Sequence, residues 1–257
     1  MSAAKKKPVA KKPAAKKAPA AKKAPAAKKA PAAGFGPGLF EFFAELGLNN
    51  DREWFEANKS RYEEQVREPA LAFIRAMAGP LGKISKHFLA LDQKVGGSLM
   101  RIHRDVRFAR DKAPYKTNLG IQFRHVVGKD VHAPGFYVHA DSDEIFLGAG
   151  TWHPDTDALA AIRKAIAEQS KAWVAARDNR SFTAHWSLSG ESLSRPPKGF
   201  AADHPQLEDL KRKDHIAVCK LSTAEFIGPD SVELIAARFA ASKPYMAFLC
   251  KAMTLGF

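Results

Sequence analysis

Between residues 99 and 118 the chain alternates. Met100, Ile102, Val106 and Phe108 hold even positions, while Arg101, His103, Asp105 and Arg107 hold odd ones. A period of two predicts a strand with one apolar and one polar face, ended by Pro114. Arg104 breaks the pattern by standing among the apolar residues. A buried guanidinium needs a carboxylate or carbonyl, and Asp105 or Asp111 can supply one once the chain turns. The alternation resumes over 118–127, with Leu119, Ile121 and Phe123 set against Gln122 and Arg124. Gly128-Lys129-Asp130 reads as a turn, 134–140 as a third strand, Asp141-Ser142-Asp143 as a hairpin turn and 144–148 as a fourth strand. Short connections imply an antiparallel meander. Its apolar face packs on helices, and its polar face collects Arg101, His103, Asp105, Arg107, Tyr137 and His139.

On either side of the meander the period lengthens. Residues 39–46 predict a short helix, stopped at Gly47. Asn49-Asn50-Asp51 offers an N-cap for a long helix from about Arg52, with Trp54, Phe55, Tyr62 and Val66 as its inner stripe. Pro69 predicts a kink or restart, and Gly79-Pro80 the end. After the meander, 154–177 reads as a helix and 181–189 as a strand framing the basic loop 195–200. A short helix opens at His204-Pro205 and ends in Lys211-Arg212-Lys213; 217–221 reads as a strand, and the remainder is helical with a restart at Pro244. Helices, then a meander, then helices argue for an α+β fold with helices on one face of the sheet.

Charge changes this picture at one end only. The chain has 257 residues and a net charge of +14, but eleven lysines and no acid lie in residues 1–33, which leaves +3 for the rest. That segment repeats a unit close to KKAPAA, with pairs at Lys11-Lys12, Lys16-Lys17, Lys22-Lys23 and Lys28-Lys29. A proline in every unit breaks helix, and like charge opposes collapse, so residues 1–34 are expected to be a disordered tail. Its composition resembles the tails of linker-histone-like proteins. The chemistry it suits is sequence-independent contact with nucleic acid: each phosphate neutralised on a duplex adds about −0.9 to the log–log salt slope. The competing reading is a solubilising extension. Residues 35–257 are expected to form a single domain. No apolar run is long enough for a membrane span and no apolar leader follows the lysines, so membrane insertion and secretion are not expected. Two cysteines, Cys219 and Cys250, make no disulfide framework and fit a reducing compartment. The expected location is cytoplasmic, or nucleoid-associated if the tail holds the chromosome.

Several polar runs occur in an unusual order. They are RxxRDxRFxxDKxPYKxN over 101–118, FxFFxELxLNNDREWFExNKxRYEE over 40–64, GAG-x-W over 148–152, and PKGF with DHP over 197–205. Together they resemble a bacterial family of uncharacterised proteins, domain of unknown function 2461, over roughly 35–257. The resemblance supports the domain and implies no particular activity.

Candidate chemistry follows from residue type. Arg101, Arg104, Arg107, Lys112 and Lys116, with the Tyr115 hydroxyl, are the donors that phosphate or carboxylate recognition uses. The alternative is an internal network of ion pairs that fixes the turn around Pro114. His139, Asp141 and Asp143 alternate and could share a metal with His132 or His153 nearby, yet no HxxxH or CxxC spacing supports it, and no metal or other cofactor is expected. Gly148-Ala149-Gly150 ahead of a helix can cradle phosphate, although packing of Trp152 on the sheet also explains small residues there. No nucleophile elbow occurs. The reading is an anion-binding α+β domain tethered to DNA or RNA by its tail. Whether it is an enzyme stays open: an alternative is an enzyme on a phosphorylated or other anionic substrate, with Asp105, Asp111 or His139 as acid or base. A protein-interaction domain is the third reading.

Overall fold

A computed structural model describes residues 34–127 and 133–257. The lysine tail and the turn at 128–130 lie outside these residues. Helix α1 (Gly38–Leu48) buries Leu39, Phe42, Phe43 and Leu46. It runs past the stop expected at Gly47 and ends where the Asn49 side-chain amide donates to the Glu45 carbonyl (2.9 Å). Asp51 then caps α2 (Arg52–Ala57) by accepting from the Trp54 N–H (2.9 Å). The expected long helix is divided into α2, α3 (Lys59–Tyr62), a π-turn over Glu63–Arg67, and α4 (Glu68–Ile84). The π-turn falls just before Pro69. Proline lacks an N–H and its ring crowds the preceding turn, and one extra residue in the turn relieves both. α4 passes Gly79-Pro80 and continues to Ile84 because Leu81 and Ile84 extend its buried stripe. Their burial offsets the roughly 3 kcal/mol that an internal proline costs.

Strands β1 (Phe88–Leu89), β2 (Leu119–His125), β3 (Gly135–Ala140), β4 (Ile145–Thr151), β5 (Ser187–Ser189) and β6 (His215–Lys220) form one antiparallel sheet in the order β1-β2-β3-β4-β6-β5. The meander β2-β3-β4 is the expected one, with β4 running three residues further, to Thr151. Ile121, Phe123, Phe136, Val138 and Leu147, with Ala217 of β6, lie fully buried on one face of the sheet. Behind that face, Phe239 meets Phe136 with ring centroids 4.8 Å apart. The connecting helices are α5 (Thr156–Glu168), α6 (Ser170–Arg177), α7 (Arg180–Thr183), α8 (Leu207–Leu210), α9 (Thr223–Ile227), α10 (Ser231–Ala241) and α11 (Lys243–Ala252). The architecture is α+β, with helices against one face of the sheet and the other face half-buried.

Further expectations fail. The helix expected over 154–177 is divided at Gln169 into α5 and α6, where the Ser170 hydroxyl donates to the Ile166 carbonyl (3.0 Å). Segment 181–189 is α7 followed by the short β5, because Asn179 caps the turn by accepting from the Ser181 N–H and Phe182 turns into the core. More consequentially, 99–118 is no strand. Its two limbs fold back on each other, with the Arg104 N–H donating to the Pro114 carbonyl (2.8 Å) and the Lys116 N–H to the Ile102 carbonyl (2.7 Å). Isolated bridges join Leu99 to Ile121 and His103 to Tyr115. Alternation therefore places Ile102 inside, but Phe108 is 94% exposed at the tip. Pro114 has no N–H to extend the pairing, so the ladder stops there.

The neck of this finger is set on α2. Phe55 stacks on Tyr115, centroids 4.1 Å apart. Asn50 clamps the Tyr115 backbone from both sides: its Oδ1 accepts from the Tyr115 N–H and its Nδ2 donates to the Tyr115 carbonyl, each at 3.0 Å. Asn50→Ala orphans both groups and should cost about 1–3 kcal/mol in urea unfolding. An unchanged midpoint would mean the clamp does not hold the neck.

Candidate functional site

The arginine-rich segment neutralises much of its own charge. Arg104 gives one guanidinium nitrogen to both Asp111 Oδ2 (2.5 Å) and the Ala113 carbonyl (3.2 Å). The carboxylate that its position demanded therefore comes from across the turn. Arg107 makes a two-pronged contact with Asp105, at 2.9 and 2.6 Å. Lys112 donates to the Val106 carbonyl (3.0 Å). These guanidinium groups hold the Asp105 and Asp111 carboxyls below the usual carboxylate range. Tyr115 is 3% exposed, and burial raises its pKa.

Arg101, Arg110, Lys112 and Lys116 are left without a carboxylate among the described residues. Lys116 is half-buried in the neck. Burial, and after it the positive charge of Arg101, lowers its pKa. Two neighbouring cations that repel each other, one of them partly desolvated, form a place where a bound anion gains more than at an isolated surface lysine.

Beside the neck, the half-buried face of the sheet carries a linked polar set. His139 Nε2 lies 2.9 Å from Asp141 Oδ2, and its Nδ1 faces the Asn118 amide nitrogen (3.4 Å) and the Tyr137 hydroxyl (3.5 Å). With the Nε2 proton given to Asp141, Nδ1 is the acceptor for both neighbours; this tautomer is assigned from the partners. The His139 ring stacks on Phe146, centroids 4.5 Å apart. Burial pushes the Tyr137 hydroxyl up, against a pull from Asn118. Asp141 is partly buried, which raises a carboxyl. The N–H groups of Glu144 and Asp143 and the His139 ring outweigh that and hold it below the usual range. Gly120 makes the space: a Cβ there would lie 2.9 Å from the Tyr137 hydroxyl oxygen and 3.0 Å from Met100 Sδ.

Of the catalytic candidates, His139 alone sits on this face, while Asp105 and Asp111 serve ion pairs in the finger. The alternating His139, Asp141 and Asp143 do not make a metal set. Asp141 Oδ1 accepts from the Asp143 and Glu144 N–H groups (both 2.8 Å), and His153 lies against Asp214. His132 falls outside the described residues. No three His, Cys, Asp or Glu side chains gather for a metal among the described residues. Gly148 and Gly150 belong to β4, not to a phosphate loop. Gly150 has φ +125°, and a Cβ on it would strike the His215 carbonyl oxygen at 2.1 Å. Trp152 is 66% exposed and stacks on His153, so the small residue at 150 is required by the close approach of β6 and not by packing of Trp152 on the sheet. Cys219 and Cys250 are buried free thiols; burial raises both, Cys250 to about 12.

Two clefts flank this region of the chain or lie apart from it. One, of about 530 Å³, is lined by Asp141 together with Phe40, Glu41, Asp143, Glu144 and Lys220. Four carboxylates to one cation make it a poor anion receptor. The other, of about 290 Å³, reaches the buried Asp209. That carboxylate binds Trp173 Nε1 (2.7 Å), Arg177 (2.5 Å) and Arg212 (3.3 Å). Sequence reasoning missed this group; the acidic pair Glu208-Asp209 between Leu207 and Leu210 is its trace in the sequence. Next to Asp214, His215 is wholly buried with neither ring nitrogen bonded, and burial pushes it down to about 3.

A family model for a conserved hypothetical protein, DUF2461, matches residues 38–248. No curated protein and no solved structure matches the chain.

The low carboxyl of Asp141 has a pH signature. A carboxyl depressed in the fold contributes stability above its unfolded pKa of about 3.9, and that contribution drains as pH falls through the lower folded value. Asp141→Asn should therefore be less stable than wild type at neutral pH, and the gap should close below about pH 3.9. A gap that stays constant into acid would exclude the ionised carboxylate as its cause.

Proposed function

We propose that this chain, which belongs to the conserved hypothetical protein family DUF2461, binds a small anionic group at the neck of its arginine-rich finger. Residues 35–257 form the domain that carries the site. The observation behind this reading is the division of charge. Arg104 and Arg107 are matched by Asp111 and Asp105, while the exposed Arg101 and the half-buried Lys116 remain without a carboxylate and close enough to repel each other. Phosphate, sulfate or a carboxylate accepts from both cations. Its arrival relieves their repulsion and raises the pKa of Lys116. The lysine tail fits a second, looser role, holding the protein to nucleic acid by counterion release. If six to ten of its lysines reach phosphates, affinity falls roughly 10³- to 10⁵-fold between 50 and 200 mM salt.

An acid–base reading has a specific observation in its favour. His139 is oriented by Asp141 and presents Nδ1 to the Tyr137 hydroxyl. That is the arrangement by which a neutral imidazole takes a proton from a hydroxyl, and it lies on the face next to the neck. In this reading the neck holds the anionic end of a substrate and Tyr137–His139 moves the proton. Asp105 and Asp111 have no part in it, because each is engaged by an arginine in the finger and neither belongs to the Tyr137–His139 set.

Inorganic phosphate tests the neck in the full-length chain. At a hundred times its dissociation constant a ligand adds about 2.7 kcal/mol to stability. Phosphate should raise the unfolding midpoint of wild type and of Asp141→Asn alike. It should leave a folded Arg101→Gln/Lys116→Gln variant where it was. An equal rise in that double variant would overturn the site.

A further inference from the structure

The geometry points to the tip of the arginine-rich finger as a stacking platform for an unpaired base of single-stranded nucleic acid, with Phe108 as the ring that enters the stack. The inference deepens the nucleic-acid reading of the tail: it assigns the domain its own contact with the same class of partner.

Phe108 is 94% exposed. Burying such a ring is favourable, and the fold leaves that gain unused. The exposure is not that of a slack loop. Arg104 ties the two limbs through Asp111 and the Ala113 carbonyl, and Lys112 reaches back to the Val106 carbonyl. Asp105 takes both the Arg107 side chain and the Arg107 N–H (3.3 Å). Each of these bonds crosses or rims the tip, and together they hold Phe108 outward.

The flanking charge matches a nucleic-acid strand. From Arg104 to Ala113 the finger carries four cations and two carboxylates, and both carboxylates are already engaged by arginines. Arg110 is exposed and has no carboxylate partner among the described residues. The Arg107 guanidinium carbon lies over the Phe108 ring, 5.8 Å from its centre, so a planar cation backs one face of the aromatic and the other face is open. Guanidinium planes and aromatic rings are the two groups on which unstacked bases settle, with phosphates met by the remaining cations. Arg101 and Lys116 continue the positive charge into the neck. A duplex offers no free base face, so the finger selects single strands. A bilayer surface is the poorer match, because the tip has one large apolar side chain and no second anchor beside it.

The test uses the full-length protein and fluorescence anisotropy with labelled oligothymidylate and a mixed-sequence duplex at two salt concentrations. Phe108→Ala should weaken oligothymidylate binding about 5- to 150-fold while leaving the salt slope and the duplex affinity unchanged. Phe108→Trp should restore the affinity. Changing the paired tail lysines to glutamine should instead flatten the salt slope, by about 0.7 per single-strand phosphate released. If the tail variant is unaffected and Phe108→Ala is weakened, the tail reading fails and the finger stands. Equal oligothymidylate affinity in Phe108→Ala and wild type overturns the finger. So does a Phe108→Ala defect seen only with anionic phospholipid vesicles.

Discussion

A guanidinium that leaves bulk water must find an acceptor, and the segment 101–118 is shaped by that requirement. Arg104 cannot lie in a flat strand among apolar neighbours, because no carboxylate would face it there. The chain turns back, Asp111 and the Ala113 carbonyl come within reach, and the limbs close by two backbone hydrogen bonds. Asp105 meets Arg107 on the outer side of the same turn. These exposed pairs add little stability individually. Their effect is to decide which cations are used up and which remain.

Of that remainder, the pair Arg101 and Lys116 lies where the finger joins the sheet. Its position is fixed from below by the Asn50 clamp and the Phe55–Tyr115 stack. Beside it the sheet presents Asn118, Tyr137 and His139 in one hydrogen-bonded set, given room by Gly120. Beyond His139 the character reverses: Asp141 borders a cleft rich in carboxylates. The proposed site thus has a positive end, where the anion would sit, and a negative end, where Asp141 turns the imidazole. That polarity orients any ligand that bridges the two ends.

Much of this was legible in the sequence. The meander, its buried face of Ile121, Phe123, Phe136 and Val138, and the cap at Asp51 all follow from local pattern, because local pattern governs them. So does the demand of Arg104 for a partner across a turn. Alternation misled at Met100–Phe108, where the same period that makes a strand also runs through a braced hairpin whose tip no other element covers. The length of α4 was hidden by Pro80, since burial of Leu81 outweighs a breaker that reads strongly on its own. Asn50 could be seen as a helix-cap candidate but not as a clamp on Tyr115, 65 residues away. The Asp209 cluster was hidden for the same reason: its partners Trp173, Arg177 and Arg212 come together only when α6 and α8 meet.

The account rests on the separation between matched and unmatched cations, and side-chain NMR observes it directly. Arginine Nε–H and lysine Nζ signals of the full-length protein are followed as inorganic phosphate is added. The account predicts that Arg101 and Lys116 shift together, saturate at one dissociation constant, and that the Lys116 pKa rises. Arg104 and Arg107 should stay in place, held by Asp111 and Asp105. A titration in which Arg104 and Arg107 move first, or in which every cation moves weakly and without saturation, would contradict it.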